Sequence, residues 1–292
     1  MHIGRIGIWS PELRDPGQAE EAAAELDRQG WGALWIPGLG GGDILGDAER
    51  LLRATDDAVV ATGVFSIWRH PADEMAAGHA RLRKTYGHRL LFGLGVSDAE
   101  AARAAGGTYR PLAAMNAYLD RFDQAPEPVP PGERIVAAMG PKLTELAARR
   151  SAGTHPFLVT PGFTATARSL LGTGPLLAPY QAVVVDDDAG RARTTARRFL
   201  ATFIAMDHYA QSLLRQGFTE ADLADGGSDR LIDAVVAWGD VATIGERVRA
   251  HHDVGADHVA LHVITDRPGP PRAEWRALAP LARGRCSRRS DA

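Results

Sequence analysis

Cysteine occurs once in the 292 residues, as Cys286 near the end, so no internal disulfide framework is open to this chain. That scarcity suits a reducing compartment, and nothing in the sequence around Cys286 suggests a nucleophile. Lysine is almost as rare, at positions 84 and 142 only. With a formal net charge of -3 there is no excess of basic charge for a nucleic-acid surface. No apolar run approaches the roughly 20 residues a membrane span needs. The opening Met1-His2-Ile3-Gly4-Arg5 leads toward a strand without a basic-then-apolar leader. The expectation is a cytoplasmic protein with no membrane and no nucleic-acid partner.

Several motifs are also missing. Gly38-Leu39-Gly40-Gly41-Gly42-Asp43 lacks the Lys-Ser/Thr of a P-loop. Gly93-Leu94-Gly95 lacks the third glycine of a dinucleotide fingerprint. Val96-Ser97-Asp98 sits in no G-x-S-x-G elbow, which argues against a serine hydrolase. His258 and His262 invite a zinc reading, but four residues along a strand span about 13 Å at roughly 3.3 Å each. One ion cannot bridge that distance, so no metal is expected.

What is present is a regular alternation of short apolar strands and longer amphipathic helices, the mark of βα units on a parallel sheet. Strands are predicted at 3–9, 33–37, 58–66, 90–95, 134–139, 155–160, 180–186 and 258–264. Helices are predicted at 18–29, 48–54, from just past Pro71 to 86, 111–122, 142–151 and 164–171. A long connection between strands seven and eight is predicted to hold helices near 189–216, 229–238 and 243–252. Eight strands in one series predict an α/β fold, a (β/α)8 TIM barrel with a helical insertion between strands 7 and 8. One domain is expected over 1–284, with a frayed tail at 285–292.

The most informative stretch is His88-Arg89-Leu90-Leu91-Phe92-Gly93-Leu94-Gly95-Val96-Ser97-Asp98, a buried strand ending in small residues with a carboxylate just beyond. Small residues there would let a flat ligand approach the backbone. Together with Gly30-Trp31-Gly32-Ala33-Leu34-Trp35-Ile36-Pro37, Val59-Val60-Ala61-Thr62-Gly63-Val64, Ala137-Ala138-Met139-Gly140-Pro141-Lys142 and Gln181-Ala182-Val183-Val184-Val185-Asp186, it resembles the luciferase-like monooxygenase family. The match runs in order over about residues 1 to 265. It is most similar to the branch that uses the deazaflavin coenzyme F420, other members using FMN.

The resemblance implies an oxidoreductase whose cofactor ring lies across the C-terminal mouth of the barrel. Relatives often carry a non-proline cis peptide behind the ring. The matching position is Ser66-Ile67, together with Phe65, and Ile67 would bulge against the ring. Trp9, Gly95 and Ser97 would border the cofactor. Met139, Gly140 and Lys142 would hold its phosphate at a helix N-terminus; an ordinary strand-to-helix turn is the alternative. Asp98 is a candidate proton donor or a cap for the helix starting at Ala99. His70 could handle a proton, and Trp68, Arg69 and His262 could touch substrate; each could equally serve structure alone.

One departure stands out. Several F420 enzymes carry an acidic residue or an Asp-His pair after strand two, where this chain has Pro37-Gly38. F420-dependent hydride transfer between C5 and a small organic substrate is therefore read beside two alternatives. One is an FMN-dependent two-component monooxygenase; the other is a non-catalytic ligand-binding barrel. Expected partners are a small-molecule substrate, a homodimer mate and a separate F420 or flavin reductase.

Overall fold

A computed structural model describes residues 1–97 and 99–283. Asp98 and the tail expected at 285–292 lie outside the described residues. Ten strands form one curled sheet: β1 Ile6–Trp9, β2 Ala33–Gly38, β3 Val59–Ser66, β4 Leu90–Gly95, β5 Arg134–Val136, β6 Gly153–Thr154, β7 Leu176–Leu177, β8 Tyr180–Val184, β9 Val236–Trp238 and β10 Val259–Val263. Every pairing is parallel, in the order β7-β6-β5-β4-β3-β2-β1-β10-β8-β9.

The seventh predicted strand, 180–186, is β8; the short β7 before it was not predicted, and the two flank Ala178-Pro179 and face different neighbours. Ala178 and Tyr180 N–H donate to the Thr154 and Pro156 carbonyls on one side. On the other, His258 and Ala260 N–H donate to Leu177 and Pro179. The hydrogen-bonded ladder thus passes from β6 through this stretch to β10, curling the sheet. Past Tyr180, β8 takes β9 as its neighbour instead of β6. Strand six, expected over 155–160, stops at Thr154 because Pro156 has no N–H to donate and Leu158 turns the chain at φ 52.

The helices are α1 Ala19–Gln29, α2 Ile44–Ala54, α3 Ala72–Tyr86, α4 Ala99–Ala104, α5 Pro111–Gln124, α6 Pro141–Arg150 and α7 Pro161–Leu171, followed by α8 Ala189–Ile204, α9 Asp207–Arg215, α10 Glu220–Leu223, α11 Asp229–Val235, α12 Val241–Asp253 and α13 Arg272–Ala282. Two expectations needed correction here. The stretch 229–238 is not one helix, because Val236-Ala237-Trp238 leaves α11 to pair with β8. The Pro- and Arg-rich region after Pro268, where no helix is predicted, is also ordered. It forms α13, whose Trp275 and Leu278 are fully packed and whose Pro280 lies inside the helix.

Period-two alternation sorts the strand residues into two cores. Leu34, Ile36, Val60, Phe92, Leu94, Val259 and Leu261 point outward against Leu26, Leu51, Met75, Leu119 and Trp275 of the helices. Trp9, Ala33, Trp35, Ala61, Leu91, Tyr180, Ala182 and Ala260 point inward. The inner set also packs on Leu200, Leu213 and Leu231, so the insertion helices cover part of the interior.

Candidate active site

The interior is stacked in ring layers. In the lower layer Trp35 stacks on His155 with ring centroids 4.3 Å apart, and its Nε1–H donates to His258 Nε2 at 3.0 Å. Gly7 makes room for this layer, since a Cβ there would lie 2.8 Å from His258 Nε2. Burial holds the His155 imidazole at about 4 and that of His258 at about 3, so both are neutral at pH 7. His258, just before β10, and His262 within it both turn inward, and no His/Cys/Asp/Glu group among the described residues could hold a metal.

Nearer the C-terminal ends of the strands, Trp9, Tyr180 and His262 form the second layer. Trp9 lies 4.6 Å from His262 and 5.3 Å from Tyr180 by ring centroid, and its Nε1–H donates to the Gly63 carbonyl. Phe157, Phe199, Phe203 and Tyr209 continue the aromatic set from the loop after β6 and from α8 and α9. Trp9 is therefore already packed on one side by rings of this chain.

The end of β3 departs from the expected geometry. The non-proline cis peptide is Gly63-Val64, and the pairing with β4 shifts register between Ala61 and Phe65. Thr62 Oγ1 inserts between the strands, accepting from Gly93 N–H at 2.7 Å and donating to the Gly93 carbonyl. The residue that bulges inward is Val64: a Cβ on Gly95 would lie 2.6 Å from its methyl, and one on Gly93 would lie 1.9 Å from the Thr62 carbonyl. The expectation of a cis bond and bulge at Ser66-Ile67 is thus corrected. Ile67 belongs to the outer core with Phe65, because the register shift returns the chain to the outward phase before it. Ser66 is buried, with its Oγ accepting from Trp68 N–H. The smallness of Gly93 and Gly95 is likewise explained by the chain's own β3 backbone and Val64.

Trp68 donates from Nε1 to the Val96 carbonyl and packs over Gly107, pinning the loop after β4; Ser97 there adopts φ 51 and its carbonyl accepts from Tyr109. His70 lies behind the mouth, edge-on to Phe65, with its backbone carbonyl accepting from Tyr118. Burial lowers the His70 imidazole, a hydrogen bond to the Gly38 backbone works the other way, and Nε2 has no partner. Arg69 is exposed beside Gly41 in the glycine-rich loop. The role expected of Asp98 falls on a residue outside the described ones.

The third component is the turn between β5 and α6. Ala137 N–H donates to the Leu94 carbonyl, which sets this turn next to the end of β4. Gly140 is the N-cap of α6 and has no side chain to fold back on the helix; a Cβ there would meet nothing within 4 Å. Lys142 is exposed on the first turn, and Arg215 of α9 reaches the Met139 carbonyl at 3.5 Å. The space beside the Gly140 N-cap is therefore unfilled, with the Lys142 and Arg215 cations close by. Neighbouring α7 differs, being capped by the Thr160 side chain with Gln216 closing over it.

The expected residues thus divide into a mouth group (Trp9, Gly95, His262), a phosphate-turn group (Met139, Gly140, Lys142) and a flanking group (Ser66, Ile67, Trp68, Arg69, His70, Ser97). Val64, Thr62 and Tyr180 escaped sequence reasoning. Val64 lay within a quoted motif, but only the register shift shows that it faces inward. Tyr180 sits at a strand start with no spacing signal.

No protein-family model and no curated protein sequence matches the chain. Solved structures do. An F420-dependent secondary alcohol dehydrogenase in complex with an F420-acetone adduct aligns with a TM-score of 0.67 at 13% identity, over 89% of this chain and 93% of that one. The coenzyme F420 dependent tetrahydromethanopterin reductase from Methanopyrus kandleri aligns at 0.70 and 15% over 95% and 97%. The oxygenating constituent of 3,6-diketocamphane monooxygenase from Pseudomonas putida, in complex with FMN, aligns at 0.66 and 14% over 96% of each chain. Identities this low carry the fold and not the chemistry. The chain has the luciferase-like fold, shared by F420-dependent and FMN-dependent oxidoreductases.

Proposed function

We propose that this chain is an F420-dependent oxidoreductase, built as a (β/α)8 barrel with a helical insertion before its last strand. The observation that carries the reading is the open first turn of α6, where Gly140 leaves unfilled space beside Lys142 and next to the end of β4. Backbone N–H groups at a helix start, the helix dipole and a nearby cation suit a phosphate. The residues present fit such a group. When bound, the deazaflavin supplies the hydride chemistry at its C5.

The protein's part is to bind, orient and shield. Gly140 and Lys142 anchor the phosphate, Val64 backs the ring, and Trp9 walls one side of it. The insertion helices keep water from the covered rim. Trp68 holds the loop that carries Ser97, and Asp98 handles the proton in this reading, while His70 fixes the Gly38 end of β2. Arg69 is the one cation of the 68–70 turn available to an anionic substrate. A homodimer and a separate reductase supplying reduced cofactor belong to the same proposal.

The phosphate turn suits FMN equally, so an FMN-dependent two-component monooxygenase is the second reading. The test is a titration with F420 and, separately, FMN, followed by cofactor fluorescence. Saturable micromolar F420 binding that weakens in Lys142→Ala supports the first reading. Preference for FMN moves the chain to the second. Binding of neither removes both and leaves a ligand-binding barrel, a role in keeping with the ring-packed mouth.

A further inference from the structure

His262 is the imidazole of the second ring layer, beside Trp9 and Tyr180, and its one hydrogen bond among the described residues joins Nδ1 to the Tyr180 hydroxyl at 2.5 Å. The direction of that bond follows from what else is near. Tyr180 is 1% exposed, and among the described residues its hydroxyl has no acceptor besides Nδ1. If Nδ1 carried a proton, the buried phenolic hydrogen would be left unpaired, which burial penalises. Tyr180 therefore donates to Nδ1, and the imidazole carries its proton on Nε2. Burial keeps the phenol protonated and holds the imidazole at about 3, so the pair is neutral across the physiological range. His262 keeps 8% exposure, and among the described residues Nε2 makes no hydrogen bond and is not one of the buried unpaired atoms, which leaves it free for a ligand.

The rings touching His262 are Trp9, Tyr180 and Phe199, all uncharged, and Phe157 and Phe203 extend this wall while staying partly exposed. A charged ligand here would lose its water with no counter-ion in these rings. A neutral apolar body with one acceptor oxygen would stack on the rings and satisfy Nε2–H. From this geometry we infer that Tyr180 is a positioning residue that fixes His262 as a neutral Nε2–H donor, and that the pair selects an apolar or aromatic substrate through its carbonyl oxygen. The inference rests on the oxidoreductase reading only for what happens to that carbonyl afterwards. Recognition itself requires this chain alone.

The test compares acetophenone with ethylbenzene, which share a ring and differ in the oxygen, by ligand-detected NMR on the full chain. Acetophenone is expected to bind about fivefold to tenfold more tightly, the size of one net hydrogen bond. That ratio should fall toward one in His262→Phe and fall part-way in Tyr180→Phe, which keeps the ring and removes the hydroxyl. A change in packing alone would shift both affinities and leave the ratio. Long-range ¹H–¹⁵N correlation on the unsubstituted protein gives an answer even if the variants do not fold, with Nε2 expected to be the protonated nitrogen. An Nδ1–H tautomer, a wild-type ratio near one, or a ratio unchanged in His262→Phe overturns the inference. F420 and FMN titrations on the same samples separate the two ideas. Cofactor binding without carbonyl preference removes only the inference, and carbonyl preference without cofactor binding removes only the oxidoreductase reading.

Discussion

Gly93→Ala and Gly140→Ala place the same methyl group on two glycines of the same rim, with opposite expected outcomes. At Gly93 the new Cβ would sit 1.9 Å from the Thr62 carbonyl oxygen, against 3.4 Å for ordinary contact. The obstacle is backbone, so β3 and β4 must part by about the 1.5 Å shortfall. That separation would also break the two bonds between Gly93 and Thr62 Oγ1, at 2.7 and 3.0 Å. Overpacking of this kind costs roughly 1–3 kcal/mol and each buried hydrogen bond about 1, giving about 3–5 kcal/mol in all. At roughly 2 °C per kcal/mol for a chain of this size, the midpoint of thermal unfolding should drop by about 6–10 °C. Gly140 has φ −148 and empty space around it, so its alanine variant should melt within about 1 °C of the parent. Differential scanning calorimetry of both variants makes the comparison. A Gly93→Ala protein melting within about 2 °C of the parent would refute the claim that β3, and not a ligand, dictates glycine at that position. In the proposed reading Gly140→Ala still matters, because its methyl enters the phosphate space, and cofactor affinity should fall with stability unchanged.

Three further outcomes are expected. His79 and His155 are held at about 4, and His251, His258 and His262 at about 3, all chiefly by burial. Their unfolded value is near 6.5, so the unfolded chain binds more protons below that pH; stability is complete above about 6.5 and falls as pH drops toward 4. Calorimetry in buffers of different ionisation enthalpy should find about four to five protons taken up on unfolding at pH 5, and an uptake below about two contradicts this account. Trp35→Phe removes the donor to His258 Nε2 and leaves a buried acceptor unpaired, for a loss of about 2–4 kcal/mol in urea unfolding; a loss under about 0.5 would mean the bond contributes little. Lys142→Ala should leave unfolding unchanged, since the side chain is exposed, while weakening phosphate-bearing cofactors several-fold and more so at low salt; equal affinity at 20 and 300 mM salt would remove Lys142 from the site.

Much of the scaffold was legible because burial on two faces leaves a readable trace. The alternation His258, Ala260, His262 against Val259, Leu261, Val263 gave the inward set of β10 correctly. Gly30, left-handed at φ 88, closes α1 at Gln29, where the predicted helix 18–29 ends, whereas α7 begins at Pro161, three residues before its predicted start. The misses share a cause. Val236-Ala237-Trp238 continues a helical pattern and becomes a strand only because β8 offers it a free edge. Likewise, α13 was obscured by surrounding proline and arginine, though Trp275 buries its face.

The site shows the same division. Composition and local pattern alone determined the parallel α/β class and a helix beginning just past Gly140. These depend on neighbours in the chain, and neighbours are what a sequence records. Tertiary structure decided that Val64 and not Ile67 faces inward, that Gly93 answers to the Thr62 carbonyl, and that Tyr180 meets His262 across 82 positions of sequence. Each of these follows from how one strand registers against another. A single-residue shift between strands exchanges inside for outside without altering a letter of the local sequence.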